Sequence, residues 1–210
     1  MLRPALSAAA FAVVLLAIPA AGAIAQPMAM PPPSTNPADV PAGHYANDPT
    51  HSALILRVRH MGMTLSTFRM DKIDAGFDYD PAHPEASKVT ATIDANSFDQ
   101  GDPAISTRFA KEFLGADKNP TITFVSTSIK RTDATHGVMT GDLTLEGVTK
   151  PVTLDVTFDG TRPAGGMGPA RAGFSATGVV KRSEFAPLTM PPAIIGDDVL
   201  VSLEIEFVKH

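Results

Sequence analysis

Residues 141–158 read GDLTLEGVTKPVTLDVTF, and their apolar side chains recur at every second position. Leu143 and Leu145 alternate with Asp142, Thr144 and Glu146. After GVTKP, Val152, Leu154, Val156 and Phe158 alternate with Thr153, Asp155 and Thr157. A period of two puts one set on each face of a pleated strand, so both runs read as strands with a dry face and a wet face. The short Gly- and Pro-containing link between them predicts an antiparallel hairpin. Pro151 then starts the second strand, where a missing donor is tolerated.

The same period recurs along the chain. In SALILRVRH (52–60), Leu54, Leu56, Val58 and His60 share one phase, and Ile55, Arg57 and Arg59 the other. Residues 65–80 form a second extended stretch with Phe68, Met70, Ile73 and Phe77, closed by Pro81 and Pro84. Further strands are predicted over 88–94, 121–129, 174–182 and 199–207, the last carrying Val199, Val201, Leu203, Ile205 and Phe207 on one face. Residues 96–119 lack the alternation. There the spacing of Phe109, Phe113 and Leu114 predicts a short amphipathic helix over one end of the sheet. GTRPAGGMGPARAG (160–173) predicts a flexible loop. The total is an all-β chain of about eight strands with one short helix, which either stacks as two sheets or closes into an antiparallel barrel without exposed edges. An eight-stranded barrel is either filled by its own side chains or holds one small ligand, and alternation fits both outcomes.

The N-terminus changes the picture of where this domain works. Residues 1–25 combine Arg3, the apolar run AAAFAVVLLAI and the small-x-small site Ala23-Ile24-Ala25, the pattern of a cleavable signal peptide. The alternative, a membrane anchor, needs ~20 apolar residues, about twice what this run supplies. Export follows as the expectation, to the periplasm of a Gram-negative host. Residues 26–43 contain six prolines and are expected to be a leader without fixed structure, with the domain running over 44–210.

Composition then narrows the chemistry. The formal charge is −5, or −6 once Arg3 is removed (Lys+Arg 17 to 16 against Asp+Glu 22). An acidic chain without a basic tract is a poor partner for nucleic acid or anionic lipid surfaces. Absence of cysteine excludes disulfides, thiolate catalysis and Cys-ligated metals. No other stretch has the length of a membrane span, so stable membrane insertion is not expected. Gly-x-Ser-x-Gly, His-Glu-x-x-His and phosphate-loop patterns do not occur, and no catalytic residue or metal ligand is assigned. The six histidines are scattered; His44, His51 and His60 are the set that would have to converge on a metal.

Four blocks carry a resemblance: HSALILRVRHMG (51–62), NPTITFVSTSI (119–129), GDLTLEGVTKPVTLDVTF (141–158) and GFSATGVVKRSEF (173–185). In this order they resemble the YceI-like family of exported, polyisoprenoid-binding, lipocalin-like bacterial proteins. The resemblance implies an eight-stranded antiparallel barrel, commonly a homodimer, with an apolar tunnel. That tunnel would take up a polyisoprenoid or isoprenoid-quinone tail with no covalent cofactor, in roles such as envelope stress or quinone-dependent respiration. The chain departs from the family pattern at ISTRFAKEF (105–113), at Asn119 and at Ala186-Pro187, where a tunnel mouth or cap is expected.

The candidate ligand-binding residues are Leu54, Leu56, Val58, His60, Phe68, Met70, Phe124, Leu143, Leu145, Val156, Phe158, Phe174 and Arg182 on inward phases. Met61 and Met63 join them as adaptable thioethers at the mouth. His60 reads either as a head-group hydrogen-bonder or as a buried histidine satisfied by its neighbours. Arg182 reads either as a partner of an aspartate such as Asp198 or as a head-group contact. Burying one five-carbon isoprene unit is worth roughly 2–4 kcal/mol. Association costs about 4–15 kcal/mol, so a useful tunnel holds several units. Two rival readings remain: an enzyme acting on such a lipid through His60, and a barrel packed solid with a structural or interaction role.

Overall fold

The alternating runs pair into one antiparallel sheet that closes on itself. The computed structural model describes residues 32–166 and 168–210; the expected signal peptide and the first part of the Pro-rich leader lie outside the described residues. Within the unit Pro33–His210 the strands are β1 (Gly43–His60), β2 (Thr64–Met70), β3 (Ile73–Tyr79), β4 (Thr90–Asp94), β5 (Thr121–Arg131), β6 (His136–Leu145), β7 (Val148–Arg162), β8 (Arg171–Lys181) and β9 (Ile195–Lys209), with helix α1 (Pro103–Leu114) between β4 and β5. From β3 onward each strand pairs with the next, and β9 pairs with β1 to close the barrel. Both β2 and β3 lie antiparallel along β1, β2 on its C-terminal part and β3 on its N-terminal part. They are one strand in two segments, which makes eight strands in the barrel wall.

A bulge in β1 causes that split. Between the pairs Asn47↔Phe207 and Ser52↔Ile205 the chain loops outward, because Pro49 has no N–H to give the ladder. Asn47 replaces the lost pairing with its side chain: its amide donates to the Ile73 carbonyl (3.0 Å) and accepts from the Ala75 N–H (2.8 Å). Asp48 clamps the bulge, accepting from the Thr50 N–H (2.9 Å) and from Arg171 (2.7 Å). These bonds, led by the Thr50 hydroxyl, hold its carboxyl well below the usual carboxylate range.

The helix forms where it was expected and for local reasons. Asp102 caps it, accepting from the N–H groups of Ala104 and Ile105; Pro103 occupies the first turn, and Gly115 ends it at φ 57°. Two turns differ from expectation. The β6–β7 hairpin turns on Glu146-Gly147 alone, both at positive φ, the geometry of a two-residue turn matched to strand twist. GVTKP is therefore not the link: Val148 already begins β7. Pro151 sits inside the strand at an exposed place that β8 does not reach, since β7–β8 pairing starts at Leu154. The 160–173 loop is also shorter, because β7 and β8 extend into it up to the pair Arg162↔Arg171.

The leader was expected to lack fixed structure, yet residues 33–42 pack under the barrel. Ser34 bridges Thr161 through two backbone hydrogen bonds (3.0 and 2.8 Å), crossing so close to Gly160 that a Cβ there would lie 3.1 Å from Pro33. Val40 is 3 % exposed. The hydroxyls of Tyr45 and Tyr79 donate to the carbonyls of Pro41 (2.8 Å) and Pro37 (3.1 Å). Proline carbonyls keep both lone pairs free for acceptance, so a Pro-rich segment can still be tied down.

Candidate functional site

The barrel is hollow, and inward-facing residues of small size explain why. Ala75 and Ala91 face one another across β3 and β4, and Ala176 pairs with Leu203 across β8 and β9. At Gly141 a Cβ would fall 2.3 Å from the Phe124 ring, and at Gly178 one would fall 2.7 Å from a Leu154 methyl. Those two glycines let a large neighbour lie flat against the wall instead of projecting into the lumen. An apolar chamber of about 720 Å³ results, within the ordinary size range of ligand pockets. A second chamber of about 180 Å³ lies towards the end covered by residues 33–42.

Polar side chains line the main chamber only near its mouth: His60, Ser66, Thr67, Gln100, Arg108, Glu112 and Arg182. They come from the end of β1, from β2, from α1 and the loop before it, and from the turn after β8. Everything deeper is apolar. Helix α1 lies over this end, turning Phe109, Phe113 and Leu114 to the cavity. Ser106 anchors it, donating to Asp99 (3.1 Å) and accepting from the Gln100 N–H (3.0 Å). The Arg108 guanidinium stands 5.0 Å from the Phe109 ring centre.

Arg182 does not pair with Asp198, which binds Lys181 instead (2.6 Å). It donates to three carbonyls, those of Ile195 (2.6 Å), Gly196 (2.9 Å) and Met190 (3.5 Å). Burial pushes its pKa below the usual arginine value, partly offset by the charge of Asp197. This guanidinium is half-buried at the edge of an oily chamber, satisfied by neutral partners and still carrying its charge.

Leu54, Leu56, Val58, Phe68, Met70, Phe124, Leu143 and Leu145 line the main chamber, and His60 and Arg182 stand at its mouth. Val156, Phe158 and Phe174 line the smaller chamber instead. His60 is exposed, which overturns the reading of a buried histidine. Met61 and Met63 are 55 % and 69 % exposed at the tip of the β1–β2 turn and line neither chamber; the turn carries them past the end of the wall. Sequence reasoning left out Leu154, Val180, Val199, Val201, Leu203 and Ile205, although the alternating phase that selected Leu143 selects them equally. It also left out Met139, which extends the Leu143 phase backwards through Gly141. Arg108 carried no signal, since one arginine on a helix is ordinary. His44, His51 and His60 do not converge: His44 pairs with Asp78 and His51 with Asp48. Among the described residues no cluster of histidine and carboxylate side chains could hold a metal, and no helix is long and apolar enough to cross a membrane.

A closed antiparallel barrel with an apolar interior and a polar-rimmed mouth is a lipocalin-like architecture. The chain belongs to the YceI-like family: the YceI-like domain matches residues 45–207. It is 37% identical over 158 residues to the YceI protein of Escherichia coli O157:H7, covering 73% of this chain and 81% of that one. It is 36% identical to a UPF0312 protein of Yersinia enterocolitica, covering 73% and 80%. Among solved structures, BcnA of Burkholderia cenocepacia superposes with a TM-score of 0.66 at 26% identity, over 76% of this chain and 98% of that one. A polyisoprenoid-binding domain from Saccharophagus degradans shares the fold, with a TM-score of 0.57 at 16% identity over 79% and 98% of the two chains.

Proposed function

We propose that this protein binds and carries one amphiphilic isoprenoid lipid, a polyisoprenoid or an isoprenoid quinone. The tail lies in the main chamber, the head group sits at the mouth, and the protein makes or breaks no bond in its guest. The observation that carries this reading is the division of the cavity lining: apolar throughout its depth, polar only at the rim. Burying an apolar tail stabilises the complex by about 0.8 kcal/mol per methylene, and the rim lets the head keep its hydrogen bonds. His60, Gln100 and Arg108 offer donors there, and Arg182 keeps a charge near them. The family membership and the fold shared with a polyisoprenoid-binding domain point the same way.

The N-terminal pattern supports export, so the working compartment we propose is the periplasm, in a role linked to envelope stress; the homodimer is proposed from the family resemblance. Native mass spectrometry of gently purified protein tests the binding reading. The expected spectrum holds a lipid adduct, or acquires one when a prenyl alcohol is added to stripped protein. A bare mass in both conditions contradicts it. Unchanged guest after prolonged incubation supports carriage, whereas conversion that His60→Ala abolishes supports the enzyme.

A further inference from the structure

The two chambers share lining residues, and the strands show at what level they meet. On β7, Val152 and Leu154 line the large chamber, and Val156 and Phe158 the small one. On β8 the order is Val180, then Ala176, then Phe174, with Ala176 touching both spaces. On β6, Leu143 faces the large chamber, Gly137 the small one, and Met139 between them touches both. Ladder pairing puts these boundaries side by side: Met139 opposite Leu154, Ala176 opposite Val156 and Leu203. Val89, just before β4, also touches both spaces. Val89, Met139, Ala176, Leu203, Ile205 and Phe207 line both chambers and so ring the level where they meet, the constriction between them.

Met139 is the member of this ring best able to move. Ala176 has no rotamer to change, Val89 and Ile205 are held at their branched Cβ atoms, and Leu203 has one rotatable bond fewer than Met139. Phe207, which also borders both spaces, is fixed edge-on against Phe77 with ring centres 4.9 Å apart. Met139 is unbranched, has three rotatable bonds, and adapts its shape to what lies beside it.

We propose that Met139 sets the tail length this protein prefers. A tail that fills the main chamber stops at the constriction, and a longer one enters the small chamber only by displacing the Met139 thioether. This rests on the lipid-binding reading above. The small chamber has a quarter of the volume of the large one (180 against 720 Å³), so removing the constriction should lengthen the preferred tail by about a quarter.

The test titrates stripped protein with prenyl alcohols lengthened one isoprene unit at a time, using the full mature chain, Met139→Ala and Ala176→Leu, with thermal unfolding of each as a folding control. For the unaltered protein, affinity should rise with each unit and then break at a limiting length. Met139→Ala should move that break to a tail about a quarter longer, while Ala176→Leu, which narrows the same ring, should move it shorter. Where Met139→Ala folds poorly, the milder truncation Met139→Val should still move the break to a longer tail, and Ala176→Leu tests the ring as a whole. A break at the same length in every folded variant overturns the length proposal and leaves the lipid reading standing. No binding at any length overturns both.

Discussion

The half of the barrel near the mouth and the half above residues 33–42 obey one alternation pattern and leave very different spaces, about 720 Å³ against about 180 Å³. Near the mouth, inward positions include Ala91, Gly141, Ala176 and Gly178, and the lumen stays open. Towards the other end the inward positions are Tyr45, Phe77, Phe158, Phe174 and Phe207, whose rings meet at 4.9–6.0 Å in stacked, tilted and edge-on pairs. Alternation decides which side chains point inward; their volume decides how much of the inside is filled. One half of the fold therefore supplies the stability that the other half forgoes.

The comparison is sharpest at Phe77, which is buried among four other rings. Truncating it to alanine should cost about 3–5 kcal/mol of unfolding free energy in urea. Gly141→Ala attacks the hollow half differently. Its new methyl drives the Phe124 ring off the wall, a change that should cost about 1–3 kcal/mol and also weaken lipid uptake, because the displaced ring occupies the lumen. Leu143→Ala should cost about 1–2 kcal/mol, less than a fully packed leucine, since one side of Leu143 already faces open space. A loss at Leu143 equal to that at Phe77 would erase the proposed distinction between the halves. Smallest of all, Lys181→Ala removes an exposed, solvent-screened ion pair with Asp198 and should leave the urea midpoint nearly unchanged.

The half above residues 33–42 should also respond to alkali. Burial raises the phenol pKa values of Tyr45 and Tyr79 above the ordinary 10.0. A group whose folded pKa is raised contributes stability that is complete below its unfolded pKa and is lost as pH climbs through the folded value. Melting temperature should therefore fall steeply above about pH 10, and fall less in Tyr79→Phe, which cannot ionise at that position.

Much of this molecule was legible in its sequence. The period-two runs located the strands because a half-buried strand writes its own pattern, and the Phe109–Phe113 spacing located α1. Hollowness was expected from the family resemblance alone and not from the residues, although its signal was present in them: glycine or alanine at inward positions beside a large neighbour, as Gly141 stands beside Phe124. The break between β2 and β3 was illegible, since it depends on the Asn47 amide reaching across to Ile73 and Ala75, a contact between residues far apart in the chain. Proline content misdirected the reading of residues 33–42, because it forbids a regular ladder without forbidding docking through carbonyls. Met61 and Met63 were chosen as adaptable thioethers at the mouth, and the structure puts both on the exposed β1–β2 turn at that end, outside the chamber lining.

The central claim is that the open half of this barrel is a place for a lipid tail. A crystal structure of protein saturated with a prenyl alcohol or quinone tests it most directly. The account predicts continuous tail density between Phe124, Leu143 and Leu203, with the head group beside His60 and Arg182. Side chains of that half found meeting across the lumen, with the lipid absent or lodged on the outer surface, would contradict it.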